Sequence, residues 1–338
     1  MNPITKAIIL RLVRLAVHDN DNDNSLRLPK AKCQGYQGND LSNYLQTKQE
    51  TAMMEGVDPQ LLEDFILDGL HEDIQDGDHT SLACIPEDST SKARLLVKDT
   101  GVLAGVDLAR MIFKHLDPEA QFEMMIEDGS DVKFGDEAFY VTCKSRALLM
   151  GERLVLNAMQ RMSGIATMSS RFMMEVEGTD VTILDTRKTT PLLRFIEKWA
   201  VRIGGCTNYR DGLYDWIMIK DNHIDAAGSI TDAITRVHKY LRETQKGLNI
   251  TVEVRNLVEL HEVLDIGGVT RIMLDNFELP ILAEAVQTIG DKFESEASGG
   301  INLHTVRKIA NTGVGFISVG ALTHSAGSLD LSLKVVKD

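Results

Sequence analysis

The stretch VTILDTRKTTP, residues 181–191, sets a run of strand formers before Asp185 and then places Arg187 and Lys188 side by side. Its first half reads as a short buried strand and the rest as a loop. The sequence that follows, LLRFIEKWAVRI, has helical spacing, with Leu192, Ile196, Trp199 and Ile203 on the buried face and a stop at Gly204-Gly205. The chain repeats this device of strand, polar strand end and amphipathic helix. WIMI ends at Lys220, TVEV contains Glu253, RIML ends at Asp275, FESEA ends at Ser298 and FISV ends at Gly320. From Asp185 onward these markers fall 35, 33, 22, 23 and 22 residues apart.

Strand and helix alternating at that spacing require parallel strands, and six or so such units can curl into a β/α barrel or part of one. Chemistry in such folds sits at the C-terminal strand ends. The adjacent cations of 181–191 are therefore expected on a loop turned toward a ligand. Upstream, residues 54–150 read as a mixed α and β region. Helices are expected at VDPQLLEDFILDGLHED and GVDLARMIFKHL, and antiparallel strands around Phe122, Met124 and Ile126, with turns at EDGSD and FGDE. A long helix follows in GERLVLNAMQRMSGIATMSSRF, burying Leu154, Ala158, Met162, Ile165 and Phe172.

At 338 residues the chain can bury a large core in one or two domains. Its 36 basic and 50 acidic residues give a formal net charge of −14, which argues against nonspecific nucleic-acid or anionic-membrane binding and for a small-molecule partner. Cys33, Cys84, Cys143 and Cys206 lie far apart with no CxxC pair, as ordinary thiols of a reducing compartment do. No apolar run reaches the roughly 18 residues that span a bilayer, so a soluble, cytoplasmic protein is expected. Residues 1–52 differ in composition and are expected to be a disordered extension or an over-extended start, with Met53 or Met54 a natural beginning; the acidic DNDND tract weakens a targeting reading.

Collected at one rim, the strand ends bring Arg187, Lys188, Arg210 and Lys220 opposite Glu253 and Asp275. Residues 184–222 hold seven basic and five acidic residues, a local excess of cations that reads as an anion site. SGGIN, 298–302, and VGA, 319–321, offer backbone donors from Ser298, Gly299, Gly300, Val319, Gly320 and Ala321, either as a phosphate cradle at a helix start or as tight turns. Glu253 and Asp275 suit sugar hydroxyls or Mg²⁺, or else pair with neighbouring cations. Lys220 fits a phosphate clamp as well as a Schiff base. EDIQDGDHTS lacks the calcium-loop spacing, and His223 has no second histidine at metal spacing, which leaves it a structural hydrogen bond.

These motifs in order, EDIQDGDHTS, GERLVLNAMQRMSGIAT, LDTRKTTPLLRFIEKWAV, GGCTNYRDGLYDWIMIKDNHI, VEV, LDNF, SGGI and ISVGALTHS, resemble the quinolinate phosphoribosyltransferases over residues 54–338. The resemblance implies an α/β fold of type II phosphoribosyltransferase architecture. An N-terminal α/β sandwich over 53–165 would be rejoined by the tail from about 325, and an incomplete parallel β/α barrel over 166–324 would carry the site. It implies a pentosyltransferase that joins quinolinate to phosphoribosyl pyrophosphate in NAD biosynthesis, giving nicotinate mononucleotide, pyrophosphate and carbon dioxide, with Mg²⁺ as cofactor. It also implies a homodimer, open to pairing into a hexamer, in which Arg153 enters the neighbouring active site.

Carried over by motif, Thr186, Arg187, Lys188, Tyr209, Arg210 and Lys220 would bind substrate, with Lys188, Lys220, Glu253 and Asp275 catalytic. Glu253 and Asp275 would hold the ribose and, through water, Mg²⁺; Ser298, Gly299, Gly300, Val319, Gly320 and Ala321 would cradle the phosphate. GGCTNYR departs from the family pattern, with Cys206 in place of a glycine and Tyr209 in place of a histidine, which predicts weakened or altered carboxylate binding. The alternative is a related enzyme acting on nicotinate or another pyridine acid; two carboxylates call for Arg187, Arg210 and a second chain's Arg153, and all three are present.

Overall fold

The computed structural model describes residues 57–336, so the expectations for residues 1–52, for Met53 or Met54 as a start and for Cys33 lie outside the described residues. The first helix among the described residues, Pro59–Ile74, starts where Asp58 accepts the Gln60 amide at 2.8 Å, and it buries Leu62, Ile66, Leu70 and Ile74, a stripe at spacing four. Asp78, in the DGD segment, caps the short helix His79–Cys84 by accepting the Ser81 amide at 3.0 Å.

Strands β1 (Thr90–Val97) and β2 (Gly101–Val102) precede the helix Val106–Leu116. Strands β3 (Gln121–Met124), β4 (Asp131–Val132) and β5 (Glu137–Lys144) follow, and then the helix Ser145–Glu175. That helix runs unbroken through residue 165, packing on Val106–Leu116 on one side and on the helix Arg194–Ile203 on the other. It carries the buried Ala158, Met162, Ile165 and Phe172 expected of it, with Leu154 half-buried.

Beyond it come β6 (Thr182–Leu184), β7 (Ile217–Ile219), β8 (Ile250–Val254), β9 (Arg271–Asp275), β10 (Glu294–Ser298), β11 (Phe316–Ser318) and β12 (Leu331–Val335). Strand β12 returns to pair with β1, in an antiparallel sheet ordered β12-β1-β5-β3. The other large sheet is parallel and ordered β6-β11-β10-β9-β8-β7. Its first strand lies beside its last, the cyclic order of a barrel, and the ring is open between β6 and β7. A single bridge, Leu184 to Thr207, occupies that gap, held by the Thr207 amide on the Ile183 carbonyl and the Asp185 amide on the Thr207 carbonyl. The fold is thus mixed α/β with an open parallel barrel, as the strand spacing predicts.

Two expectations need correction. The helix after β6 begins at Arg194, not Leu192: Leu192 sits at φ 66° and is 96% exposed, while Ile196 and Trp199 are buried. Leu192 in the left-handed region cannot join a right-handed helical turn, and the Leu193 amide turns back onto the Thr190 carbonyl at 3.1 Å, so the helix starts only at Arg194. The second correction concerns SGGIN, which does not open a helix directly; the next helix, Val306–Ala310, starts six residues after Gly300.

Candidate active site

The six strand ends surround one cavity of about 850 Å³. Thr186, Arg187, Lys188, Tyr209, Arg210, Lys220, Glu253, Asp275, Ser298, Gly299, Gly300, Gly320 and Ala321 all line it. Two of the sequence-predicted residues do not. Val319 is fully buried and its amide donates to the Leu184 carbonyl at 2.8 Å, so it cannot serve an anion. Arg153 lies exposed on the helix Ser145–Glu175, away from the cavity of its own chain and with no partner among the described residues.

The seven cations of 184–222 divide into two sets. Lys198 is buried and donates to Asp185 Oδ1 at 2.6 Å, and Arg202 donates to Asn208 Oδ1 at 2.5 Å. Arg194 donates to the Asp211 carbonyl at 2.8 Å and to Thr189 Oγ1 at 3.1 Å. These three build the loop. Asp185 is its centre, accepting also from Asn208 Nδ2 at 2.6 Å and from the Tyr209 amide at 2.8 Å; burial pushes its carboxyl up and Lys198 opposes that. Asp185 therefore fixes the segment that presents Tyr209 and Arg210.

The other four cations face the cavity. Arg187 keeps its Nε buried with no protein acceptor, and Arg210 donates to the Trp216 carbonyl at 3.2 Å. Burial lowers Arg210 from its ordinary value, and the neighbouring charge of Arg187 lowers it further. Two guanidinium groups whose charges repel across a partly dry cavity favour a ligand with two negative groups. Lys220 pairs with Glu253, which fixes both side chains across β7 and β8. His223 accepts the Lys220 amide at 3.0 Å through Nδ1, the structural hydrogen bond expected of it.

Asp275 is held from both sides: Ser298 donates its hydroxyl to Oδ1 at 2.9 Å and Asn276 donates Nδ2 to Oδ2 at 2.7 Å. Each carboxylate oxygen keeps a lone pair for a ligand hydroxyl or a cation's water. Asn276 reaches this position because it sits in the left-handed region at φ 55°. Gly299 must be glycine, since its φ is +95° and a Cβ there would overlap the Asn276 amide. The amides of Gly299, Gly300 and Gly320 donate to no acceptor among the described residues, which leaves them for an anion.

Sequence reasoning had no role for Asn276, or for Ser318 and Met218 in the lining. The adjacency of Asn276 to Asp275 was its one available signal. Tyr209 lines the floor; its hydroxyl lies 2.7 Å from that of Thr251, to which Trp216 Nε1 donates at 2.9 Å. Burial and the nearby Glu296 raise the Tyr209 phenol, so it stays neutral. Cys206 is packed against the helix Ser145–Glu175, its Sγ 3.5 Å from the Ser169 carbonyl, and burial pushes its thiol up to about 12. Cys84, Cys143 and Cys206 are all free thiols.

Residues 78–163 match the family model "Quinolinate phosphoribosyl transferase, N-terminal domain" and residues 165–334 match "Quinolinate phosphoribosyl transferase, C-terminal domain". The chain is 47% identical over 281 residues to quinolinate phosphoribosyltransferase [decarboxylating] 1b of Nicotiana tabacum, covering 79% of this chain and 80% of the relative. It is 40% identical over 276 residues to a probable nicotinate-nucleotide pyrophosphorylase [carboxylating] of Bacillus subtilis, covering 82% and 92%. The nicotinate-nucleotide pyrophosphorylase structure from Francisella tularensis superposes with a TM-score of 0.77 at 35% identity, over 84% of this chain and 99% of that one.

Proposed function

Because the chain belongs to the quinolinate phosphoribosyltransferase family, we propose that the strand-end cavity is where quinolinate and phosphoribosyl pyrophosphate meet. The enzyme is a phosphoribosyltransferase of NAD biosynthesis, and its reaction yields nicotinate mononucleotide, pyrophosphate and carbon dioxide. One observation carries the assignment of the site: Arg187, Lys188, Arg210 and Lys220 converge on the cavity that also exposes Asp275, Glu253 and the unpaired amides of Gly299, Gly300 and Gly320.

In this reading Arg187 and Arg210 hold the two carboxylates through planar, bidentate hydrogen bonds. Lys188 and Lys220 hold the pyrophosphate as point charges. Asp275 and Glu253 accept the ribose hydroxyls, while Gly299, Gly300, Gly320 and Ala321 hold the 5-phosphate. Pyrophosphate leaves C1 of the ribose as the pyridine nitrogen attacks, and the protein supplies alignment and fixed charge. No general base is needed, since that nitrogen carries no proton. The positive ring nitrogen then stabilises the carbanion left when the 2-carboxylate departs as carbon dioxide, and that carbon takes up a proton from water to give nicotinate mononucleotide.

Glu253 and Asp275 present only oxygen donors, and the Asp275 lone pairs point to the cavity, a set that fits Mg²⁺ held through its water. When bound, Mg²⁺ supplies positive charge to the leaving pyrophosphate. Lys220 is committed to Glu253, which favours the clamp role over a Schiff base.

Arg153 supports a homodimer, since it lies exposed and outside its own cavity and a second copy would have to bring it to the site. Sedimentation distinguishes that dimer from a hexamer. Among the described residues no helix is long and apolar enough to cross a membrane. The free thiols support a cytoplasmic location, which imaging of a C-terminally tagged full chain tests. For the reaction, the decisive experiment is release of pyrophosphate and carbon dioxide from phosphoribosyl pyrophosphate and Mg²⁺ with quinolinate or with nicotinate. Equal yields of both products from quinolinate are expected; turnover of nicotinate alone would overturn the reading.

A further inference from the structure

Barrel interiors are ordinarily filled by branched apolar side chains, yet a buried charged pair sits here behind the residues that line the cavity. Glu296 lies two residues before Ser298 on β10, on the same face, and is fully buried; Arg271, at the start of β9, is 5% exposed. Arg271 Nη1 lies 3.4 Å from Glu296 Oε2, and its Nε and Nη2 hold Glu294 at 2.8 and 2.7 Å. The guanidinium lies 3.7 Å from the Phe316 ring centre, 5.1 Å from that of Tyr209 and 5.4 Å from that of Trp216. The other oxygen of Glu296 accepts the Ser318 hydroxyl. Ser318 and Tyr209 are cavity residues, and Glu296 lies close enough to act electrostatically on Arg210.

Stability does not account for this arrangement, because a buried ion pair is on average no better than an apolar pair of equal volume. We propose that Glu296, held by Arg271, is a positioning residue whose buried counter-charge sets how strongly the acid pocket grips a dicarboxylate. Burial raises the Glu296 carboxyl, while the Ser318 hydroxyl and Arg271 oppose that and favour the ionised form; in that form Glu296 offsets part of the field of Arg187 and Arg210, and Arg271 offsets part of the field of Glu296. The pair thereby limits the hold on a dianion while leaving a monoanion less affected, since the interaction scales with ligand charge. The inference rests on the acid pocket assigned above.

Dissociation constants for quinolinate and nicotinate, read by isothermal titration calorimetry on the full chain, test it. Glu296→Gln should tighten quinolinate by roughly threefold to tenfold and nicotinate by roughly twofold to threefold, as expected for one unit charge roughly 7–10 Å away at a water-like effective dielectric near 80, with the dianion feeling twice the energy of the monoanion. Glu296→Asp should keep the wild-type ratio. A merely structural role would weaken both ligands alike, so weaker binding of both by Glu296→Gln, or an unchanged ratio, overturns the proposal. If Glu296→Gln does not fold, Arg271→Lys is compared with Arg271→Met: only the methionine variant should lose preference for quinolinate, and equal losses overturn the proposal. Arg210→Met serves as the control for the pocket. If it leaves quinolinate binding unchanged, the pocket assignment fails and this inference with it; if it weakens quinolinate while Glu296→Gln has no effect, the inference alone fails.

Discussion

Gly299→Ala tests whether Asp275 works only when its neighbours hold it. A Cβ at Gly299 would lie 2.7 Å from Asn276 Nδ2 and closer still to the rest of that amide. The alanine must also adopt φ near +95°, which costs a non-glycine residue about 1–2 kcal/mol. That part falls on stability. Displacing the Asn276 amide removes its 2.7 Å hydrogen bond to Asp275 Oδ2, and a hydrogen bond to a charged group is worth about 1.5–3 kcal/mol. If that bond orients Asp275 in the transition state, kcat/KM for phosphoribosyl pyrophosphate falls roughly tenfold to hundredfold. The assay is initial rate against phosphoribosyl pyrophosphate, with urea unfolding measured in parallel. Asn276→Gly keeps the left-handed backbone and deletes the amide, so it should lose the same factor without the clash. The double variant should then be no slower than Asn276→Gly alone. Losses that simply add in the double variant would refute the argument, because they would place the two residues in independent roles.

Three further outcomes follow from the same geometry. Lys198→Met leaves Asp185 buried without its cation, and breaking such a pair costs about 3–5 kcal/mol; urea unfolding should register that loss, with Tyr209 and Arg210 misplaced. Asp128 accepts the Val106 amide at 2.9 Å through Oδ1 while its Oδ2 is enclosed without a partner, and burial raises its carboxyl from 3.8 to about 7. The folded state therefore holds a proton that the unfolded state releases between pH 4 and pH 7, and stability falls as pH rises through that window. The full shift corresponds to about 4 kcal/mol, and since the residue is only partly enclosed we expect about half: Asp128→Asn should be stabilised by about 2 kcal/mol at pH 8 and unchanged at pH 4, and equal thermal shifts at both pH values would contradict this. Tyr209→His replaces a phenol that burial keeps neutral with a group that gains charge below about pH 6.5. The KM for quinolinate should drop at pH 6 and not at pH 8; an unchanged KM at pH 6 would end the idea that Tyr209 alters carboxylate binding.

Much of the site was legible because a strand end is a fixed place. In a parallel sheet the residues at or just beyond the end of every strand reach the same rim, so Arg187, Lys220, Glu253, Asp275 and Ser298 could be gathered from spacing before any contact was known. What spacing could not do was sort like residues by partner. Lys188 and Lys198 look alike in sequence, yet Lys198 is locked on buried Asp185 while Lys188 lines the cavity. Val319 reads as one donor among three, and only the pairing of β11 with β6 spends its amide on Leu184. Strand β1, TSKARLLV, carries charges that mask its alternation, and its partners β5 and β12 lie far away in sequence.

By itself, then, the sequence determined the repeated strand-and-helix order, the chemistry gathered at the strand ends and the excess of cations there, because those properties depend on residue type and local period. The tertiary structure alone decided where the ring opens, which cations line the cavity, how Asn276 and Ser298 clamp Asp275, and that Glu296 and Arg271 meet beside Tyr209 and Ser318. Those outcomes depend on distances between segments remote in the chain, and no local pattern encodes such distances.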